Sequence, residues 1–318
     1  MKYLTAAEIA KQWNISSVQI RKCCIQGRIP GAVFKDQMWL IPSNAAYPQK
    51  APREKVTAPK VPMPPLATKL VHQKNGRNYH DLYDYTQINL TYSSCRMASC
   101  RLTRDQVSLI FRKGKVGGSF ELTKVSDLIE AMNHCVCVDY ILEHVMEPLT
   151  QKFIKKLHYM LVFGSVDQRL ERVRPGEYRL TCAGPRDLEL IDPKKVHTSL
   201  GDLIKEYEKL EKFDLNAILD FHVRFEQIFP FDDCNGRVGR LILFKECLRH
   251  DVMPFILDDK RRSRYLDGLR CWNKDRSVLL EAVTEAQERY KAQIEIQKLL
   301  ARGKTFEPAG YTDEEEEE

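Results

Sequence analysis

The stretch FEQIFPFDDCNGRVGRLILF, residues 225–244, decides the fold of the longer, C-terminal part of this sequence. Apolar residues end a predicted helix at Ile228, a polar loop follows, and a second predicted helix opens at Gly236. The first N–H groups of such a helix have no partner within the helix and point into the loop. Together with the positive end of the helix dipole they favour an anion, so the pattern predicts an anion site between two helices.

Three charged side chains lie in or after this loop at spacings that suit a phosphorylated ligand. Arg237 and Arg240 are three residues apart, so they share a helix face and can bind neighbouring phosphate oxygens. Asp233 offers a hard carboxylate oxygen, which Mg²⁺ prefers. The combination predicts a site for a nucleoside triphosphate with Mg²⁺. A polar turn with surface arginines is the alternative interpretation.

Helical spacing dominates the neighbouring segments. Thr103 and Thr150 are suited to cap helices that run to Arg112 and Leu161. In the segment 124–146, apolar residues at helical spacing predict a core-facing stripe. The segment 176–191 instead alternates around a turn and predicts a β-hairpin. Further helices are expected over 203–210, 215–228 and 236–250, and the stripe of 124–146 comprises Val125, Leu128, Ile129, Met132 and Val136.

Aligned without gaps, residues 229–240 resemble the motif H-x-F-x-D/E-G-N-G-R-x-x-R of the Fic family. Similar segments upstream and downstream extend the resemblance over about residues 80–290. Members of the family typically transfer AMP from ATP to a hydroxyl side chain of a target protein. The resemblance implies a mainly α, Fic-type helical domain with a small β-hairpin flap, and ATP and Mg²⁺ as ligands. It places phosphate contacts at Cys234, Asn235, Gly236, Arg237 and Arg240, and the metal at Asp233.

Two positions depart from the family motif. Phe229 stands where the family has the histidine that takes the proton of the attacking hydroxyl. A phenyl ring has no lone pair, and loss of a positioned base costs about 10²–10⁴ in rate. Cys234 replaces a glycine, adding a side chain where the backbone approaches phosphate, which would narrow the site. AMP transfer by the usual route should therefore be nearly abolished.

Three other groups near the motif are candidates to replace the missing base or nucleophile. His222 is two turns before Phe229, but histidine also occurs there in members that retain the catalytic one, so we interpret it as structural. Asp232 at its ordinary pKa is a poor base for an alcohol. Cys234 would be a nucleophile only if the arginines and the helix end lowered its thiol pKa.

The family's inhibitory motif, S/T-x-x-x-E-G/N, corresponds to a segment that begins at Ser94. Its glutamate, which pairs with the second motif arginine, is replaced by Ala98, so we expect Arg240 to lack its internal partner. The hairpin at 176–191 corresponds by order to the family's flap. The resemblance implies that an extended segment of a target protein docks there by strand addition.

Residues 3–42 carry a separate pattern of two short helices followed by a hairpin. Thr5 can cap the first helix, Ser16 the second, and Gly27 ends it. The order TAAEIAKQWNIS…IRKCCIQGRIPGA…W.IP resembles excisionase-like and MerR-like winged helix-turn-helix modules, which implies a helix in a DNA major groove. The residues expected to contact DNA are Ser16, Gln19, Arg21, Lys22, Gln26 and Lys35.

A protein-interaction domain without DNA contacts is the alternative for this region, because its net charge of +4 over residues 1–42 is modest for phosphate binding. Apolar residues make up 43% of the chain and charged residues 30%, which excludes fibrous and fully disordered classes. We expect a winged helix-turn-helix domain (1–42), a proline-rich linker (43–78), a Fic-type domain (79–300) and a disordered acidic tail (301–318).

No export signal or membrane-spanning stretch is visible, so we expect a cytoplasmic protein without membrane contact. Three functions remain open. The first is an inactive or weakly active Fic homologue that acts as a DNA-binding regulator or scaffold and still holds ATP–Mg²⁺. The second is an active AMP transferase or related transferase, with the target supplying the base. The third is a purely structural interaction protein. A homodimer would suit DNA modules of this kind.

Overall fold

The computed structural model describes residues 3–25, 27–35, 38–47, 62–76, 80–115, 124–182, 184 and 190–301. The N-terminal region contains two helices and a three-stranded antiparallel sheet in the order β1-β3-β2. The predicted helices and hairpin are present, whereas the first strand was not expected. These elements are β1 (Tyr3–Thr5), α1 (Ala6–Trp13), α2 (Ser17–Ile25), β2 (Val33–Lys35) and β3 (Met38–Pro42).

Local hydrogen bonds explain why these short helices begin and end where they do. The Thr5 hydroxyl accepts a bond from the Glu8 N–H, and the Glu8 carboxylate accepts one from the Thr5 N–H, a reciprocal cap for α1. Asn14 ends α1 in the left-handed conformation, with φ 52°. The Ser16 hydroxyl then accepts a bond from the Gln19 N–H, 3.2 Å, and caps α2.

The N-terminal region packs directly on the helical body. Trp39 stacks on Phe163 with ring centroids 4.6 Å apart and an angle of 13° between the planes. Phe163 belongs to the same buried cluster as Ile9, Ile20 and Ile41 of the N-terminal region. Lys22 adds an ion pair across the junction, with its Nζ 3.7 Å from a carboxylate oxygen of Asp139. The N-terminal region and the helical body thus share a hydrophobic contact.

The body is built almost entirely of helices. Both predicted caps are present, because Thr103 and Thr150 each accept a bond from a backbone N–H of the first turn that follows, and Asp214 caps a third helix in the same way. The helices are α3 (Pro65–Gly76), α4 (Leu82–Met97), α5 (Arg104–Lys113), α6 (Val125–Glu143), α7 (Gln151–Val162), α8 (Val166–Arg169), α9 (Pro193–Glu208), α10 (Leu215–Ile228), α11 (Asn235–Arg249), a 3₁₀ turn (Asp259–Arg261), α12 (Arg262–Cys271) and α13 (Ser277–Ala301).

Helix α3 corrects the predicted extent of the linker. We expected extended chain over residues 43–78, but residues 65–76 are helical, and Ala67 and Leu70 are buried in the main core. Pro65 opens the helix, where its missing N–H costs nothing. Residues 48–61 of the predicted linker and residues 302–318 of the predicted tail lie outside the described residues.

Helix α6 corrects a prediction in part, because Leu128 and Val136 of the apolar stripe pack against buried clusters but other members of the stripe do not. Val125 and Met132 are 46% and 44% exposed, whereas Asn133 and His134 are buried. The Asn133 amide donates to the backbone oxygens of Leu161 and Phe163, at 2.9 and 2.8 Å. Polar residues that find partners on neighbouring helices thus occupy part of the core face.

The segment 176–191 contains no strand among its described residues, which are 176–182, 184 and 190–191. The antiparallel sheet of this protein lies in the N-terminal region instead. One strand-like contact does exist, because the Arg179 N–H donates to the Pro230 oxygen at 2.9 Å. Within the described residues, no helix has both the length and the apolar character that a membrane span requires.

Candidate functional site

Phe229 is the residue that ends α10 and begins the motif loop. It has left-handed backbone angles, φ 49° and ψ 63°, and its N–H donates to the Phe225 oxygen. Its carbonyl oxygen accepts a 2.8 Å bond from Nε of Arg179. The ring lies near Gly184, where an added Cβ would be 3.4 Å from it. An aromatic ring with no proton acceptor therefore occupies the position that the resemblance assigns to the base.

Arg179 is a functional-site residue that the sequence did not single out. Its side chain is buried, with 1% of the residue exposed. Besides the Phe229 oxygen, the guanidinium donates to the backbone oxygens of Thr181 and Ile191, at 2.9 and 2.6 Å. It thereby ties the segment 176–191 to the motif loop. A lone arginine in a predicted hairpin carries no sequence signal for this role.

Asn235 holds the motif loop through its side chain. The amide oxygen accepts a bond from the Phe231 N–H, and the amide nitrogen donates to the Phe231 oxygen, both at 2.9 Å. Phe231 itself is fully buried and stacks on His158 with centroids 3.9 Å apart. The Asn235 amide is therefore engaged in the loop. The N–H groups at the start of α11 are what this turn offers to an anion.

Cys234 precedes α11 in a backbone conformation that suits glycine, with φ 63°. Its side chain packs in the main hydrophobic core, where the residue is 4% exposed. Burial raises the thiol pKa well above its ordinary value, although Arg237 opposes the shift. The condition under which Cys234 would be a nucleophile, a lowered pKa, is therefore not met, and Cys234 is a protonated, enclosed thiol.

Arg237 is buried between two carboxylates. One terminal nitrogen donates to Glu130 of α6, and the other lies 3.2 Å from the Asp233 carboxylate. Burial raises the pKa of Glu130, and Arg237 offsets part of that shift. The sequence placed Arg237 and Asp233 at one site but gave no sign of Glu130, which is 107 residues earlier in the chain.

Arg240 also has an internal partner, contrary to our expectation. Its Nε donates to the Ser94 hydroxyl at 3.0 Å and Nη2 to the Ser94 backbone oxygen at 2.9 Å. The serine of the inhibitory segment thus contacts the second motif arginine, while Ala98 caps α4 without reaching it. A Cβ at Gly236 would approach Nη1 of Arg240 to 2.9 Å, so this glycine leaves room for the guanidinium.

Three buried histidines surround the two arginines, and all are neutral. Burial and the nearby arginines lower the pKa of His134, His158 and His222 to about 3 each; for His158 a backbone hydrogen bond partly opposes this. His222 shares a 2.7 Å hydrogen bond with the Tyr265 hydroxyl, which fits its interpretation as structural. Tyr265 is itself buried. Glu226, one turn before Phe229, has its pKa raised to about 7 by burial.

Asp232 and Asp233 differ in their surroundings. A carboxylate oxygen of Asp232 lies 3.5 Å from a terminal nitrogen of Arg174. The Asp233 side chain is about half exposed and touches Arg237 from the solvent side. Among the described residues, no group of three or more His, Cys, Asp or Glu side chains is placed to hold a metal ion. Asp233 is the accessible carboxylate at the start of α11.

The residues predicted to contact DNA divide into exposed and engaged groups. Gln19, Arg21 and Lys35 are exposed, whereas Lys22 is half-buried and paired with Asp139. Ser16 is exposed but caps α2 through its hydroxyl. Gln26 lies outside the described residues.

Comparison with known proteins agrees with this arrangement. The Fic/DOC family model matches residues 148–246. The protein adenylyltransferase Fic of Drosophila grimshawi is 27% identical over 160 residues, 46% of this chain and 31% of the relative, so the match spans about a third of that protein's length.

Solved structures share the fold. A Fic domain containing signaling protein from Bacteroides thetaiotaomicron has a TM-score of 0.59 at 20% identity, covering 77% of this chain and 95% of that one. Fic-1 from C. elegans has a TM-score of 0.55 at 17% identity, covering 72% and 70%. The chain therefore contains a Fic/DOC family domain.

Proposed function

We propose that this protein is a Fic-domain protein with little or no AMP-transfer activity, which acts as a DNA-binding regulator or scaffold. The observation that carries the proposal is Phe229, whose ring lies at the end of α10 in the position of the family's general base. A reaction that needs a proton removed from a hydroxyl group has no acceptor at that place.

The neighbouring groups do not replace the base. The Cys234 thiol is buried with a raised pKa, and His222 has a pKa of about 3 and is bonded to Tyr265. Asp232 lies beside Arg174. Each of these groups is enclosed or paired, so none supports proton abstraction from an incoming hydroxyl.

The test is incubation of the purified protein with labelled ATP, alone and with cell lysate. Wild type should transfer little label, and Phe229→His should transfer at least about a hundred times more, because a positioned base contributes that much. Phe231→His, a change of similar size in the same loop, is the control. Equal labelling by wild type and Phe229→His would contradict the proposal and favour the active-transferase alternative.

We further propose that the start of α11 holds ATP–Mg²⁺ as a ligand. The donor types fit, because free N–H groups at the helix start suit phosphate and the accessible Asp233 carboxylate suits the metal. When bound, Mg²⁺ would neutralise phosphate charge. Calorimetric titration with ATP–Mg²⁺ should give a binding heat that Arg237→Ala removes, and a heat unchanged by that substitution would contradict the assignment.

Exposure of Gln19, Arg21 and Lys35 supports the proposal that the N-terminal region binds DNA. Binding should weaken steeply with added salt, since neutralised phosphates release counterions. A gel-shift series at several salt concentrations, with Arg21→Gln against the control Lys194→Gln on α9, checks this. Affinity that ignores both salt and Arg21→Gln would favour a protein-interaction region instead.

A further inference from the structure

The pairing of Arg237 has a consequence for any phosphate that enters the site. A single buried guanidinium is shared by Glu130 and Asp233, through different terminal nitrogens. Its positive charge is therefore already neutralised within the protein. An incoming phosphate must share Arg237 with these carboxylates or displace one of them.

The charges around the start of α11 do not add up to a positive site. Arg237 pairs with the carboxylates of Glu130 and Asp233, whereas Arg240 donates to Ser94 and has Glu226 close to it. A triphosphate carries several negative charges, and like charges repel one another more strongly in a partly enclosed site than in water. The protein's own acids thus oppose the ligand that its arginines would bind.

The two carboxylates are not equivalent. Asp233 is about half exposed and is the residue that a phosphate-bound Mg²⁺ would engage, which would remove it from Arg237. Glu130 lies on α6, and 14% of its side chain is exposed. Arg237 is the more enclosed partner, with 5% of its side chain exposed.

We propose that Glu130 is an internal competitor for phosphate at Arg237, and that it sets the affinity of this site for nucleoside phosphates. This rests on the proposed nucleotide binding. Glu130 differs from the family's inhibitory glutamate, whose position is occupied here by Ala98. Glu130 comes from another helix and pairs with the first motif arginine, Arg237, rather than with the second. The loss of a glutamate at Ala98 therefore does not leave the site unopposed.

The experiment is calorimetric titration of the full-length protein with ATP–Mg²⁺, ADP–Mg²⁺ and adenosine. Glu130→Gln should bind ATP–Mg²⁺ at least about tenfold more tightly than wild type, because one opposing charge is removed. The gain should be smaller for ADP–Mg²⁺ and absent for adenosine. Glu143→Gln is the matched control, since Glu143 lies on the same helix and pairs with Lys74 at the surface, 2.9 Å away.

Each result decides something. If wild type binds ATP–Mg²⁺ and Glu130→Gln binds it no better, the inference is overturned while the nucleotide proposal stands. If neither binds, both are overturned. Binding by Glu130→Gln alone would support the inference. Should Glu130→Gln fail to fold, Glu130→Asp moves the carboxylate away from Arg237, and an affinity equal to that of wild type would then overturn it.

Discussion

Cys234 illustrates how burial decides the chemistry of a single residue. A cysteine between two acidic residues and two arginines looks like a candidate for a lowered pKa. The backbone conformation instead turns its side chain into the main core, where loss of solvation favours the neutral thiol. The sequence shows the neighbouring charges but not the direction of the Cα–Cβ bond, and this direction determines the outcome.

The buried state of Cys234 predicts its reactivity. In brief treatment of the folded protein with iodoacetamide, the exposed Cys182 should be alkylated and Cys234 should not. Peptide mass spectrometry measures both sites in one sample, and alkylation in urea gives the full-labelling control. Modification of Cys234 as fast as Cys182 would mean that the thiol is open and acidic after all.

Glu226 predicts how stability depends on pH. Its pKa in the folded protein is about 7 against an ordinary value of 4.5, so the folded state holds the proton more tightly than the unfolded state. Its contribution is therefore fully present below pH 4.5 and is lost as the pH rises through about 7. The size of this change is about 3 kcal/mol, at 1.4 kcal/mol per pKa unit.

Urea unfolding of wild type and Glu226→Gln at pH 5 and pH 8 isolates this effect. The buried neutral histidines act in the opposite direction in both proteins, because their pKa values are lowered to about 3. The effects of His134 and His158 cancel in the difference between the two proteins, whereas His222, whose Nε2 lies 4.0 Å from a carboxylate oxygen of Glu226, is coupled to the substituted residue. Wild type should lose stability relative to Glu226→Gln as the pH rises, and a difference independent of pH would contradict the raised pKa.

At the scale of elements, sequence patterns correctly predicted those features, such as helix starts, that depend on interactions between residues close together in the chain. Helix α5 begins at the predicted Thr103, because the reciprocal bonds between Thr103 and Gln106 lie within one turn. The buried face of α6 was predicted only in part, because Asn133 and His134 are also buried there. They form hydrogen bonds to partners on α7 and α4. Such partners are far away in sequence, and spacing within one helix contains no information about them.

In the candidate site, too, residues close together in the sequence were predicted, and residues from distant segments were not. The motif residues from Phe229 to Arg240 could be located from the sequence because they form one loop and one helix. Arg179 and Glu130 could not, since each acts through a contact made only when distant segments meet. Side-chain bonds of Arg179 hold the described part of the segment 176–191 to the motif loop, whereas residues 183 and 185–189 of the predicted hairpin lie outside the described residues.

The three carbonyl bonds of Arg179 predict a large loss of stability on its removal. Arg179→Met keeps the length of the side chain but leaves the oxygens of Thr181, Ile191 and Phe229 without this donor. The free energy of unfolding should fall by about 3 kcal/mol. Arg174→Met, two residues before this segment and more exposed, is the control and should cost less than about 1 kcal/mol. Equal losses measured by urea unfolding would mean that Arg179 is not a tie between the two segments.

At the scale of the whole molecule, the N-terminal region and the helical body meet through aromatic side chains on short elements. Trp39 lies on β3, and Phe163 directly follows α7, the helix that carries His158. Gly27, at the end of α2, lies close to Tyr159 of α7, where an added Cβ would be 3.5 Å from the hydroxyl. One helix therefore contacts both the N-terminal region and the motif loop, which links the position of α2 to that of the motif loop.

The contact between the N-terminal region and the body can be weakened without changing the motif residues or the residues predicted to contact DNA. Phe163→Ala removes the ring that covers Trp39, so Trp39 should become accessible, and acrylamide should quench its fluorescence more strongly than in wild type. The other tryptophans, Trp13 and Trp272, contribute a background that Trp39→Phe measures directly, with and without Phe163→Ala. Because α7 keeps its remaining core contacts, the main thermal transition of the body should persist at a lower temperature. Unchanged quenching in Phe163→Ala would mean that Trp39 is shielded within the N-terminal region alone, and α2 would then be free to orient independently of the body.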